Sequence, residues 1–533
     1  MSTSTSPPTP SSVALDFETV IVGAGFSGIG TAIELDRQQL GSYVLLEKAD
    51  ELGGTWRQNR YPGIAVDIPS ISYSFSYENN YPWSRVYAPG AEIQEYAHYV
   101  ADKYGITEHI RYGAGVTKTE FEPETHTWLT TLEDGSQLRS RYVVAATGYL
   151  SIPKRPDIQG LDSFEGKLMH TAEWDHDLPL RGRRVAIIGT GASAVQVVPS
   201  IAPDVGHLEV YQRTPIWVGP RPDKALDPNA RFSLRNLPVF RRLARYFSEF
   251  GLEIGTLAAV KYDYGKGKGR KRGLIRSKNL VRRVEKAQAA YVRRSVDDPE
   301  LHDKLIPNYG FGCKRPAFSN DYLQSFNRDN VDLVTEPIDK ITPKGIVTRD
   351  GVEHALDVIV LGTGFKTLER GNAPSFDVVG LEGRELGEWW HENRYQAYGG
   401  ITVPRFPNFF LTAGPFAGGF NWFAMLEPNV KYILRCMTKA RSQHSTYIEV
   451  KADAHKRYHE QMLERSERAV FKDAACVASH SYYLDHHGDA SLPYPQTPWY
   501  RWFRVRLKSL RDFHFAPSAE NRVQKGERRE PTQ

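Results

Sequence analysis

The 533-residue sequence predicts an α/β fold: two Rossmann-like dinucleotide-binding domains with an all-α insertion in the second. Three observations predict it. A strand, glycine turn and helix pattern occurs twice, at ETVIVGAGFSGIGTAIEL and at RRVAIIGTGASAVQVVPSIA. Two apolar strands, YVVAATGY and DVIVLGTGF, each end in Thr-Gly plus an aromatic. Between Pro222 and Leu305, apolar residues recur at three-to-four spacing, the period of helices.

The first copy opens with Val20, Ile21 and Val22 as a buried strand, followed by Gly23, Gly25 and Gly28. Gly23 allows the tight turn, Gly25 lets backbone approach a pyrophosphate, and Gly28 lets helix and strand pack closely. The pyrophosphate then sits on the helix N-terminus. The next strand, YVLLEKAD, reaches Glu47 nineteen residues after Gly28, placed to accept hydrogen bonds from a ribose diol.

The second copy carries Gly189, Gly191 and Ala194. Its following strand, HLEVYQRTP, has no terminal acid; Arg213 stands there instead. A cation in that place suits a ribose bearing a 2′-phosphate. The chain thus reads as binding FAD near its N-terminus and NADPH in an inserted domain. The two Thr-Gly strand ends are natural crossing points. They give an FAD-binding domain over 17–151 and 371–517 and an NADP-binding domain over 152–221 and 331–370. The helical insertion spans 222–330.

Composition narrows the class. An apolar fraction of 40% and an aromatic fraction of 12% suit globular cores. No run of apolar residues is long enough to span a bilayer, so no membrane partner is expected. The Ser/Thr/Pro-rich start lacks a basic and an apolar region and is not a secretory signal. Residues 1–16 and 518–533 read as disordered tails. Cys313, Cys436 and Cys476 form no close pair, so neither a disulfide nor a metal site is expected, and a cytoplasmic location is the default. Net charge is +5, too small to imply nucleic acid. Base concentrates between Lys261 and Arg283, with ten Lys/Arg against one acid, and reads as a solvated face. His486-His487 lack further ligands, and Trp389-Trp390 read as packed aromatics.

The segment FEGKLMHTAEWD carries Phe164, Gly166, His170, Trp174 and Asp175. It resembles the fingerprint of the type I Baeyer–Villiger monooxygenases, a group of class B flavoprotein monooxygenases. In that family it lies between two glycine turns, as here. GGTW at Gly53–Trp56, NRYPG at Asn59–Gly63, and Asp67 resemble the family's flavin-contacting run. Lys314-Arg315 in GFGCKRP and the stretch Phe406–Pro415 agree as well, and the likeness covers about residues 17 to 500. There are departures. Val66 stands where many members have cysteine, LGTGF replaces an alanine-containing strand end, and FAGGFNW after Pro415 matches no family pattern. The last leaves the substrate class open.

The resemblance implies an oxidoreductase that uses FAD, NADPH, O₂ and a small-molecule ketone. A peroxide on reduced flavin attacks the ketone, and the tetrahedral adduct rearranges to an ester or lactone. Two successive anions need a fixed cation in a dry site. Arginine suits this because it stays protonated, so Arg315 is the catalytic candidate, with Asp67 pairing to it. On the flavin, the likeness points to Gly23, Gly25, Gly28, Glu47, Thr55, Trp56, Asp67, Tyr73 and the backbone of Val116. On NADP it points to Gly189, Thr190, Gly191, Ser193, Ala194, Arg213, Thr214 and Lys314. By its placement, FEGKLMHTAEWD is expected to be a loop-like inter-domain hinge. His170 is its hydrogen-bonding latch, Phe164 and Trp174 anchor its ends, and Gly166 permits its turn. Rival readings are a monooxygenase acting on sulfur or nitrogen, a non-catalytic redox sensor, and nucleic-acid binding through the basic segment.

Overall fold

The structure, a computed structural model, describes residues 13–260, 278–467, 469, 476 and 481–517. Residues 1–12 of the tail expected at 1–16, all of the tail expected at 518–533, and most of the basic segment lie outside the described residues. Residue Asp16, expected in the tail, is pinned: its N–H donates to Arg139 O at 3.0 Å.

The first sheet has the strand order Asp377–Val379, Val116–Glu122, Thr127–Leu132, Gln137–Ala145, Phe17–Val22, Tyr43–Leu46, Ile110–Arg111. Phe409–Leu411 also pairs with Gln137–Ala145. Val20, Ile21 and Val22 are buried on both faces, as a central parallel strand requires. Their register sets Val22 opposite both Leu46 and Ala145. The helix Phe26–Gln38 covers one face and packs against the long helix Trp422–Ser442.

The second sheet is all parallel, in the order Val331–Val334, His207–Tyr211, Arg184–Ile188, Val358–Leu361, Lys167–His170. One face packs on the helix Ala192–Ile201. The other packs on a small hairpin carrying Ile341 and Ile346. Two chain segments join the sheets and run side by side: Lys154 N–H donates to Gly364 O, and Lys366 N–H to Ile152 O, both at 2.9 Å.

The fingerprint segment is not a loop between domains. Lys167–His170 is the edge strand of the second sheet, with Leu361 opposite His170. Leu168 packs on one face of that sheet and Met169 on the other, the alternation a strand demands. Gly166 stands at a bend just before that strand. A Cβ there would lie 2.5 Å from the Phe164 ring and 2.6 Å from Asp357 O. Its role is space for a close approach.

The insertion holds helices Pro228–Asn236, Pro238–Val260, Lys278–Ser295 and Pro299–Leu305. Asp227 and Asp298 cap two of them, each followed by proline at the first helical position. The segment expected as all-helical also contains a short strand, Ala317–Phe318, which pairs with Val218–Gly219. One further expectation is corrected. Cys313 and Cys476 form a disulfide across 163 residues, with Cα atoms 4.9 Å apart. Folding brings together two cysteines whose sequence spacing gave no sign of pairing.

Candidate active site

Both glycine turns deliver a helix N-terminus free of side-chain caps and of acids. Gly25 precedes Phe26–Gln38 and Gly191 precedes Ala192–Ile201, and neither helix has an acid in its first turn. Such ends present N–H groups to an anion. At the first, a Cβ on Gly28 would lie 1.9 Å from Gly23 O, so only glycine allows that helix to approach. A Cβ on Gly54 would lie 3.1 Å from the Gly25 Cα, so the GGTW run faces the turn directly. Glu47 is buried beneath it and accepts from Ala24 N–H (2.8 Å) and Ala49 N–H (3.0 Å). Trp56 donates its ring N–H to Tyr73 OH at 3.0 Å, fixing both aromatics. Thr55 is exposed at the start of that short helix, and Val116 opens its strand. A pyrophosphate on the turn and a ribose diol on Glu47 fit this cradle.

At the second turn, Gly189 has φ +112°, and a Cβ there would meet Gly362 O at 2.5 Å. A Cβ on Gly191 would meet nothing within 4 Å, which leaves an open approach for a ligand. Ala194, fully buried, takes the third glycine's place against Gly362. Thr190 Oγ1 donates to Thr214 O at 2.9 Å and ties the turn to the chain after Arg213. Ser193 is half-buried on the first turn of the helix. Burial, and then the nearby Arg213 cation, lower the Lys314 pKa to about 8. Two cations brought together in this way suit a phosphate dianion.

Next to Lys314, Arg315 is held differently. Its Nε and Nη2 donate to Asp67 Oδ2 and Oδ1, both at 2.7 Å, a bidentate pair. Nη2 also donates to Phe420 O at 3.2 Å. Burial works against the charge, but Asp67 outweighs it and holds the guanidinium pKa well above its usual value. Pairing 248 residues apart brings the segment after GGTW against the end of the insertion.

Arg315 lines a pocket that is partly open to solvent. Tyr149, Phe420, Met425, Tyr482, Tyr483 and Leu492 share the lining. Burial pushes the Tyr149 hydroxyl up to about 12 and raises Tyr483, with Arg315 opposing, so both stay protonated. Gly418, Gly419 and Phe420 come from FAGGFNW, the unmatched stretch that left the substrate class open. Sequence reasoning missed Tyr149, Tyr482 and Tyr483. Only Tyr149 had a signal, as the aromatic after a Thr-Gly strand end.

His170 lies elsewhere. Its Nδ1 accepts from Ala172 N–H and its Nε2 donates to Gly364 O, both at 3.0 Å. Burial lowers its pKa, with the bond to Gly364 opposing, so the ring is neutral. Gly364 O also accepts from Lys154, so a single carbonyl gathers both crossing segments and the fingerprint. Trp174 and Phe164 pack on opposite faces of the second sheet, and Asp175 pairs with Lys167 at 2.6 Å.

Trp390 is buried and donates to Gln396 O at 2.8 Å, and Trp389 packs beside it. His391 stacks on His486 at 4.4 Å.

The family described as pyridine nucleotide-disulphide oxidoreductase matches residues 20–254. A relative from Streptomyces coelicolor, named Baeyer-Villiger monooxygenase, is 37% identical over 482 residues, covering 90% of this chain and 88% of its own. A relative of the same name from Pseudomonas aeruginosa is 36% identical over 479 residues, covering 90% and 87%. Among solved structures, OTEMO in complex with FAD and NADP matches with a TM-score of 0.82 at 27% identity, over 95% of this chain and 100% of that one. Open cyclohexanone monooxygenase matches at 0.79 and 29%, over 94% and 99%. Relatives at this identity, aligned over nine-tenths of the sequence, show that the chain belongs to the type I Baeyer–Villiger monooxygenases.

Proposed function

We propose that the chain inserts an oxygen atom of O₂ beside a ketone carbonyl to give an ester or lactone, with FAD and NADPH as cofactors and Arg315 as the catalytic residue. When bound, FAD would supply redox and O₂-activating chemistry, with NADPH as the hydride donor. The chain's own residues then do the following. The turn at Gly23–Gly28 and Glu47 hold the FAD pyrophosphate and ribose, with Thr55, Trp56, Tyr73 and Val116 along the flavin. The turn at Gly189–Ala194, with Ser193 and Thr214, holds NADP, and Arg213 and Lys314 take its 2′-phosphate. Arg315 offers a permanent charge to anions that develop on oxygen, and Asp67 fixes its orientation. The neutral tyrosines beside Arg315 bring no competing charge to the carbonyl.

The observation that carries this reading is the bidentate Asp67–Arg315 pair at the cavity wall, 2.7 Å on both arms. A rival that oxygenates sulfur or nitrogen needs a proton delivered at that place. A fixed guanidinium disfavours it. Domain limits at 151/152 and 370/371, as well as a cytoplasmic location, belong to the same proposal.

Arg315→Ala tests it. NADPH reduces the flavin of this variant at nearly the wild-type rate, while ester formation falls by about 10²–10³-fold or more. Ester formation at the wild-type rate would sink the assignment.

A further inference from the structure

An amphipathic helix of a globular protein turns its apolar stripe inward. Helix Pro238–Val260 does the reverse. Arg245, 9% exposed, points into the protein and donates to Ile71 O (3.2 Å) and Ser74 O (3.1 Å). Ser248 Oγ accepts from Ser72 Oγ at 2.7 Å, and Glu253 is buried. Phe240, Leu243 and Phe250 are exposed, with Val239 at 69% and Phe247 at 66%. A second helix, Pro498–Leu507, extends the surface: Phe503 is 57% exposed and Leu507 82%. Trp499 joins them, with its ring 5.8 Å from Tyr246 and 6.0 Å from Phe250. Of the sixteen exposed large hydrophobic side chains among the described residues, twelve lie on these helices or on Pro228–Leu237 just before them. That concentration marks an interaction surface.

The charges choose the partner. The exposed charged residues of these helices are all arginine: Arg231, Arg235, Arg242, Arg504 and Arg506. Both acids of helix Pro238–Val260, Glu249 and Glu253, belong to its inward face, and Glu249 is taken by Arg245 at 2.7 Å. A second copy on this surface would set arginine against arginine, with no exposed acid on the helices to pair across a twofold axis. Exposed phenylalanine, tryptophan and leucine interleaved with arginine suit the headgroup boundary of an anionic bilayer. No described helix is long and apolar enough to cross a membrane, so the contact lies in the interface plane.

We infer that the helices Pro238–Val260 and Pro498–Leu507 dock the enzyme on an anionic lipid surface. The test is co-sedimentation of the full-chain holoenzyme with vesicles of phosphatidylcholine alone or mixed with phosphatidylglycerol. The wild type sediments with the mixed vesicles and is released by salt. A V239S/F247S/F503S/L507S variant loses about tenfold or more in binding. R504Q/R506Q loses about fivefold per arginine on mixed vesicles only. Both variants keep FAD and ketone-dependent NADPH oxidation. A wild type that stays in the supernatant with anionic vesicles overturns the inference, as do variants that bind like the wild type. So does a concentration-dependent dimer that the four-fold variant abolishes, which would assign the surface to a second copy.

Discussion

Lys314 and Arg315 are neighbours whose charges are held in opposite ways. Asp67 locks the arginine in its charged form, whereas burial and Arg213 bring the lysine to about 8. A bound 2′-phosphate favours charged Lys314 and raises its pKa. Its contribution is therefore complete below pH about 8 and is lost as pH rises through the bound-state value. NADPH affinity should be flat below that pH and weaken above it by up to about tenfold per unit. Titration calorimetry across this range checks it, and Lys314→Arg should flatten the profile. An unchanged slope in that variant would remove Lys314 from the phosphate site. Arg213→Ala should narrow the preference for NADPH over NADH. At this scale the sequence was legible in placement: Glu47 lies under the first turn, Arg213 beside Lys314, and the Arg315 guanidinium against Asp67. The tyrosine wall was not, because Tyr149 and Tyr483 converge on Arg315 from distant positions that no local spacing connects.

Among elements, both glycine turns were plain, because strand, turn and helix each leave their own period in one short stretch. FEGKLMHTAEWD was misread for a physical reason. Its strand has four residues, lies at a sheet edge, and follows a glycine at a bend that also makes room for a close approach. The latch assigned to His170 has a concrete form, since its Nε2 and Lys154 N–H meet on Gly364 O. His170→Ala removes a net contribution of about 0.5–1.5 kcal/mol from that junction. We expect it to raise the NADPH consumed per ester formed while FAD content holds. Loss of FAD with normal coupling once FAD is restored would contradict this role.

At the scale of the molecule, two sheets with different strand orders share paired crossing segments, and the Asp67–Arg315 pair joins residues from both sides of them. The disulfide was beyond sequence reasoning for the same reason as the cavity, since its partners are 163 residues apart. It makes a simple prediction. Denatured without reductant, the chain shows a single thiol, Cys436, and three after reduction. Three without reductant would refute the pairing. In the native state Cys436 should be inert, because burial pushes its thiol up to about 12. The central claim is oxygen insertion beside a carbonyl in the cavity of Arg315. The most direct measurement is turnover with NADPH, a panel of ketones and ¹⁸O₂, followed by mass analysis. The account predicts an ester or lactone carrying one ¹⁸O, placed between the carbonyl carbon and its former neighbour. NADPH oxidation without ketone dependence, or label found only in sulfoxides and N-oxides, would contradict it.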